Sequence, residues 1–124
     1  MVNDQIIPQI VSDFRFALVN PRILGIILYG SYANGNPTPR SDIDICIVAP
    51  NQDLFHMYNF IMEQLHFSRP YDIRFFEELP LYIQGEIMET GNIILTPNRL
   101  DLFEYFVPFR RKWADQLFRL KFSI

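Results

Sequence analysis

Hydrophobic residues follow two periods along the chain, one typical of helices and one typical of buried strands. Apolar side chains recur at helical spacing from Ile10 to Leu18 and predict an amphipathic helix over residues 5–19. The uninterrupted apolar run ILGIILY at 23–29 predicts a buried strand, because it is short and is bounded by Pro and Gly. Residues 5–29 are therefore expected to form a helix followed by a strand.

The rest of the chain is divided by proline and glycine into segments of similar kind. The expected elements are a loop at 32–41, a strand at 42–49, a helix at 52–66, a strand at 70–76, a helix at 80–90, a short strand at 92–96, and two helices at 98–106 and 109–121 that Pro108 separates. This order predicts an α/β (α+β) fold in which a small mixed sheet of three to four strands is covered by helices.

The composition is that of one folded domain spanning residues 1–124. Of the 124 residues 49% are hydrophobic, and they include twelve Phe and six Tyr, which excludes a disordered chain. No apolar run is long enough to cross a membrane, and the N-terminus lacks the layout of a signal peptide. The single cysteine, Cys46, lies inside an apolar run, so a reducing, cytoplasmic setting is expected.

Charge divides the chain into two unequal parts. Residues 1–109 carry six Arg and thirteen acidic residues, a net charge of −7, and direct binding to nucleic acid is therefore not expected. Residues 110–124 carry five basic residues and one Asp, a net charge of +4. The segment 108–124 is expected to be a basic-aromatic helix. It either packs on its own core or offers an exposed surface to a protein partner or a second copy, and the acidic body makes a membrane surface a weaker alternative.

The most informative segment runs from Gly30 to Ile47. Gly30 and Ser31 follow the first strand, and ten residues further on Asp42 and Asp44 open the second. Alternate residues of a strand share a face, so the two carboxylates would lie about 6.5 Å apart on one side of the sheet. Carboxylates held together in this way favour a cation between them, while Gly-Ser offers backbone amides and a hydroxyl to phosphate. The pattern indicates a divalent metal and a nucleoside triphosphate.

A third acid, Asp72, lies in the predicted strand 70–76 among mostly apolar residues. A carboxylate in such a place is costly unless it meets a cation or a donor. If this strand lies beside the strand 42–49, Asp72 can join Asp42 and Asp44 around the same metals. Glu77 and Glu78 are weaker candidates, since they fall where the strand gives way to the next helix.

Other interpretations of these residues are less well supported. An EF-hand is excluded because no glycine follows Asp42 at the required loop position, and a Ser31 nucleophile lacks the Gly-x-Ser-x-Gly context. The pair Asn34-Gly35 could be a simple hairpin turn, although the loop is long for one. His56 and His66 are ten residues apart and are expected at the surface or in packing rather than as ligands.

The set Gly30-Ser31, Asp42-x-Asp44 and a later strand Asp72 resembles the nucleotidyltransferase superfamily that includes DNA polymerase beta and kanamycin nucleotidyltransferase. The short chain and the segment YDIRFFEELPLYIQGEIMETGNIIL resemble its minimal nucleotidyltransferases, many of which are MntA-type antitoxins paired with a HEPN-domain toxin. The resemblance covers residues 5–106 and implies the polymerase beta palm-like fold. One departure is Asn34, which stands where the family often has Arg.

The resemblance also implies a mechanism and a partner. Asp42, Asp44 and Asp72 would hold two Mg²⁺ ions, Asp72 could accept a hydroxyl proton, and Gly30 and Ser31 would bind the phosphates of ATP. The expected activity is transfer of AMP to a hydroxyl of the HEPN toxin, with tyrosine as the expected acceptor. The alternatives are an idle module that neutralises the toxin by contact, and an enzyme acting on a small molecule or an RNA end.

Overall fold

The computed structural model describes residues 3–35, 42–66 and 70–122, so that most of the predicted loop 32–41 lies outside the described residues. The described part contains four α-helices, four β-strands and two short 3₁₀ segments. They are α1 (Asn3–Asp13), a 3₁₀ segment (Arg15–Val19), β1 (Gly25–Tyr29), β2 (Ile43–Val48), α2 (Leu54–Leu65), β3 (Tyr71–Phe75), a 3₁₀ turn (Phe76–Glu78), α3 (Leu81–Thr90), β4 (Asn92–Leu95) and α4 (Arg99–Phe122).

The strands form one mixed sheet in the order β3-β2-β1-β4. The strand β1 pairs antiparallel with both β2 and β4, whereas β2 and β3 run parallel because α2 carries the chain back between them. The predicted mixed sheet of three to four strands and the neighbouring placement of β2 and β3 are confirmed.

The sheet is covered on both faces, and its strands alternate between two hydrophobic clusters. Ile26, Leu28 and Ile45 face α1 and α2, while Ile27 and Cys46 face α3 and the first half of α4. Because β1 and β2 are buried on both faces, they appear in the sequence as continuous apolar runs rather than alternating ones.

The first helix is shorter than predicted. The α-helix ends at Asp13, and the predicted span to residue 19 continues as 3₁₀ helix, in which the amide of Ala17 donates to the carbonyl of Phe14 at 2.9 Å. A 3₁₀ helix has three residues per turn, so the buried stripe passes from Phe14 to Ala17 and leaves Leu18 exposed. The predicted burial of Leu18 was therefore wrong.

The predicted break at Pro108 was also wrong, because α4 is continuous for 24 residues through it. A proline inside a helix costs about 3 kcal/mol through a lost hydrogen bond and a steric clash. The side chains on both sides of Pro108 pack around Phe76, with ring centroids 4.8 Å away for Phe106 and 5.0 Å for Phe109. This burial offsets the cost and keeps the residues on both sides of Pro108 packed against Phe76.

The two expectations for the basic-aromatic helix apply to different parts of α4. Its side chains as far as Trp113 pack on the second cluster, whereas those beyond it are exposed. Leu117, Phe118, Leu120 and Phe122 are between 42 and 66% exposed. The end of α4 is thus an apolar and basic surface that the described body of the chain does not cover. No helix among the described residues is long and apolar enough to span a membrane.

The contact between α3 and α4 depends on a residue without a side chain. A Cβ atom at Gly85 would lie 2.4 Å from Cε2 of Trp113, whose ring lies against the backbone of α3. The Trp113 ring is held there by a hydrogen bond of 3.0 Å from its Nε1 to Glu89 Oε1. We expect Gly85→Ala to lower the free energy of unfolding by about 1–3 kcal/mol, as overpacking usually does. Chemical denaturation followed by circular dichroism measures it.

The control is the same substitution in a Trp113→Ala background. With the ring removed, alanine should be neutral or stabilising there, because its helix propensity exceeds that of glycine by about 1 kcal/mol. An equal loss of stability in both backgrounds would contradict the packing explanation.

Candidate active site

Three neighbouring strands place three polar side chains in one row. In the antiparallel pair β1–β2, Tyr29 is the register partner of Asp44, and in the parallel pair β2–β3, Asp44 is the partner of Asp72. Register partners project from the same face of a sheet. This face also carries Ile27 and Cys46, so the row lies at the margin of the cluster under α3 and α4.

The row concentrates negative charge in a partly buried place. Burial raises the pKa of Asp44 above its usual value, and the neighbouring carboxylates of Asp72 and Asp42 raise it further. The guanidinium of Arg74 acts in the opposite direction but does not cancel these effects. Asp44 therefore sits where a second positive charge would be stabilising.

Gly30 is required both by its backbone conformation and by its contact with Asp44. Its φ angle is +75°, which L side chains rarely adopt, and a Cβ atom would lie 2.2 Å from Asp44 Oδ2. The chain then turns, with the Asn34 amide donating to the Gly30 carbonyl at 3.0 Å. Gly30 is therefore next to the carboxylate row. Ser31 is half-buried at the start of this turn, and its predicted contact with phosphate stays a prediction.

Two residues of the site were not predicted from the sequence, and both lie beside the acids. Arg74 Nε lies 3.1 Å from Asp72 Oδ1, and the two side chains share a face because they are two residues apart on β3. The pKa of Tyr29 is raised by burial and then by Cys46, Asp44 and Asp72. Each could have been found from its position, Tyr29 directly before Gly30 and Arg74 two residues after the third acid.

The third predicted ligand, Asp42, is exposed and lies just before β2. It is close enough to raise the pKa of Asp44. In the part of the chain that the structure describes, however, no three carboxylate, histidine or cysteine side chains converge as a ready metal site. The structure brings Asp44 and Asp72 together, with Asp42 nearby. Paired carboxylate oxygens suit Mg²⁺, which takes few protein ligands, and the three-carboxylate set stays a prediction.

Of the two weaker candidates, Glu77 has a structural role. Glu77 accepts hydrogen bonds from the amide of Ala49 at 3.1 Å and from the hydroxyl of Tyr105 at 2.7 Å, at the end of the sheet opposite to Asp44. It thereby joins β2 to α4, and its contact with Tyr105 contributes, after burial, to a raised Tyr105 pKa. Cys46 is fully buried, as its position in the apolar run predicted.

The two histidines were correctly expected to be packing or surface residues. His56 and His66 are both exposed, and His56 Nδ1 pairs with Asp53 Oδ2 at 2.9 Å. His56 lies in the first turn of α2, and His66 caps the C-terminal end of that helix.

Comparison with known proteins agrees with this fold. Residues 15–100 match the family described as Polymerase beta, Nucleotidyltransferase. A protein of Methanocaldococcus jannaschii that is named as a candidate protein adenylyltransferase is 43% identical over 100 residues, which cover 81% of this chain and 77% of that one. The chain therefore belongs to the polymerase beta nucleotidyltransferase family. It is a nucleotidyltransferase, an enzyme class that takes a nucleotide as substrate.

Solved structures show the same fold at much lower identity. A chain from the crystal structure of a toxin–antitoxin with AMP-PNP matches with a TM-score of 0.60 and 18% identity, covering 93% of this chain and 89% of that chain. A chain from the complex of tri-AMPylated Shewanella oneidensis HEPN toxin with MNT antitoxin matches with a TM-score of 0.56 and 16% identity, covering 96% and 89%. The predicted polymerase beta-like fold is confirmed.

The charge of the row has a measurable consequence for stability. Because the folded-state pKa of Asp44 is raised, its ionised form destabilises the fold, and wild-type stability should fall as the pH rises through that pKa. In buffer with a chelator at pH 7, we expect Asp44→Asn to raise the thermal unfolding midpoint. The difference should shrink as the pH is lowered and the wild-type carboxyl becomes protonated. Circular dichroism melts across the pH range measure both effects.

Glu63→Gln provides the matched control, since Glu63 is exposed on α2, which packs on the face of the sheet opposite to the row. It should leave the midpoint and its pH dependence close to those of the wild type. A lower midpoint for Asp44→Asn than for the wild type at pH 7 would show that the ionised carboxylate is not destabilising.

Proposed function

We propose that this chain is a Mg²⁺-dependent protein adenylyltransferase that transfers AMP from ATP to a hydroxyl of a HEPN-domain toxin and so acts as its antitoxin. The observation that carries the proposal is the row of Asp44 and Asp72, with the Gly30 turn packed against it. The relative from Methanocaldococcus jannaschii that is named for protein adenylyl transfer supports the reaction class.

The proposed partner is supported by the solved structures of the same fold. Their names describe a toxin–antitoxin with AMP-PNP and a tri-AMPylated HEPN toxin in complex with an antitoxin. The proposed setting is the cytoplasm, where a lone buried thiol such as Cys46 stays reduced. Tyrosine is the proposed acceptor.

The proposed roles follow from where each side chain lies. Asp44 and Asp72, with Asp42, would hold two Mg²⁺ ions. When bound, these ions would neutralise the phosphates and favour the ionised acceptor hydroxyl. The Gly30–Ser31 turn would offer its amides and hydroxyl to the outer phosphates.

In the proposed reaction, the acceptor oxygen attacks the α-phosphorus of ATP and the bond to pyrophosphate breaks. The hydroxyl proton would pass to Asp72 as the proposed base. No histidine is needed for this step, because the metal ions would favour the ionised hydroxyl.

Substitution of Asp44 or Asp72 by asparagine tests whether the chain transfers AMP or only binds its partner. We expect Asp44→Asn and Asp72→Asn each to lower the rate of AMP transfer at least about 10³-fold, because several kcal/mol of charge stabilisation is lost. The assay combines the protein, labelled ATP, Mg²⁺ and the HEPN protein of the same genome, and reads the intact mass of each protein. Glu63→Gln serves again as the control.

The same variants test whether contact alone neutralises the toxin. Growth during co-expression with the HEPN protein should be lost with Asp44→Asn and kept with Glu63→Gln. Full protection by a variant that transfers no AMP would favour the idle binding module instead. AMP on an RNA end or a small molecule, with none on the HEPN protein, would favour the remaining alternative.

Two glycines with almost the same backbone give a matched pair of variants. Gly30 and Gly35 have φ angles of +75° and +76°, but among the described residues only Gly30 has a neighbour, Asp44, within 4 Å of an added Cβ atom. We expect Gly30→Ala to lower AMP transfer at least about tenfold and Gly35→Ala to keep most of it, although both introduce backbone strain of about 1–2 kcal/mol. Initial rates with labelled ATP measure the difference. Equal losses in the two variants would mean that strain, rather than the contact with Asp44, is responsible.

A further inference from the structure

A groove of about 470 Å³ runs along the outer edge of β3, the strand that carries Asp72. Its floor is Ile73, Arg74 and Phe75, the three residues that follow Asp72. One wall is formed by α2 and the far end by Glu78 and Leu79. Since each strand residue advances the chain by about 3.3 Å, the floor of the groove ends roughly 10 Å from Asp72.

The groove is bounded by a strand edge. β3 is the last strand of the sheet, and among the described residues it pairs with β2 alone. An edge strand directs backbone amides and carbonyls outward and can bind a further extended chain. Hydrogen bonding of this kind is independent of sequence, so specificity must come from the side chains that line the groove.

The wall of the groove carries an exposed apolar stripe. Phe55, Tyr58 and Met62 follow one another at helical spacing on α2 and are 72, 41 and 45% exposed. The helix α2 ends at Leu65 and β3 begins at Tyr71, so the stripe runs beside the edge strand towards the end that holds Asp72. The apolar stripe on α2 and the edge of β3 therefore both lead towards Asp72 and the carboxylate beside it.

The lining residues distinguish between classes of ligand. Among the residues that the structure describes, Arg74 is the only cation that lines the groove, and it is already paired with Asp72, while Glu78 adds a negative charge. A polyanion such as RNA would find little attraction there. An extended polypeptide satisfies both features, because its backbone can pair with β3 and its apolar side chains can contact Phe55 and Tyr58.

We propose that the β3 edge groove is the acceptor site of this enzyme and binds an extended, hydroxyl-bearing segment of the protein substrate. Side chains of an added strand alternate between the two faces of the sheet. The residue opposite Asp72 would therefore share its face and present its hydroxyl to the site of AMP transfer, while its neighbours along the segment contact the stripe on α2. This inference rests on the proposed adenylyl transfer and assigns its acceptor to a surface.

The test removes the wall of the groove and leaves the carboxylates in place. In the double variant Phe55→Ala/Tyr58→Ala we expect the KM for the HEPN protein of the same genome to rise at least about tenfold. The kcat at saturating HEPN protein and the KM for ATP should stay near those of the wild type. The matched control is Leu100→Ala, because Leu100 is 65% exposed but follows β4 at the opposite edge of the sheet.

Hydrogen exchange provides a readout that folding alone would not change. Amides of residues 73–75 should exchange more slowly when the HEPN protein is added to the wild type, and this protection should be weakened in the double variant. Because Phe55 and Tyr58 are exposed, the thermal unfolding midpoint should be unchanged. Both results together support the acceptor site.

Three outcomes would overturn the inference. An unchanged KM in the double variant, with AMP transfer intact, would show that the groove does not bind the acceptor segment. The proposed function would be unaffected. A change in KM accompanied by a shift from dimer to monomer in analytical ultracentrifugation makes the groove an interface between copies of this chain. No AMP transfer by the wild type removes the proposed function, and with it the acceptor role of the groove.

Discussion

The parallel pairing of β2 with β3 is the constraint on which the rest of the site depends. It sets Asp44 and Asp72 side by side at the same level of the sheet, where their charges repel and burial makes the repulsion worse. A parallel pair cannot be closed by a tight turn, so the chain needs α2 to return. The same helix then forms the wall beside the β3 edge, and one topological requirement produces both the acidic row and the groove that ends at it.

The two hydrophobic clusters hold this arrangement rigid against the repulsion. Strands β1 and β2 are buried on both faces, so a shift of register by one residue would move each apolar side chain from one hydrophobic cluster to the other. The same shift would separate Asp44 from Gly30 and Asp72. On the second face, Phe76 is surrounded by rings from both sides of Pro108. That packing fixes α4, whose exposed end extends past the body of the domain.

The electrostatics of the site combine opposing effects. Arg74 pairs with Asp72 and partly balances the negative charge of the row. In the turn that follows Gly30, the amide of Asn34 donates a hydrogen bond to the Gly30 carbonyl. The body of the chain is acidic and the last fifteen residues are basic, with net charges of −7 and +4, so attraction for anionic partners is concentrated at the end of α4 rather than near the carboxylates.

The amino-acid sequence predicts the four strands and marks out Gly30, Asp42, Asp44 and Asp72 as candidate site residues, because apolar periodicity and local spacing are properties of neighbouring residues. It could not show that α4 passes through Pro108, since the energy that allows this comes from rings distant in the chain. The register of the parallel strands also places Asp44 beside Asp72, whereas Asp42 is exposed next to them. The strand register, the edge position of β3 and the groove beside it form only when distant segments of the chain pack together. Local sequence patterns therefore do not reveal them.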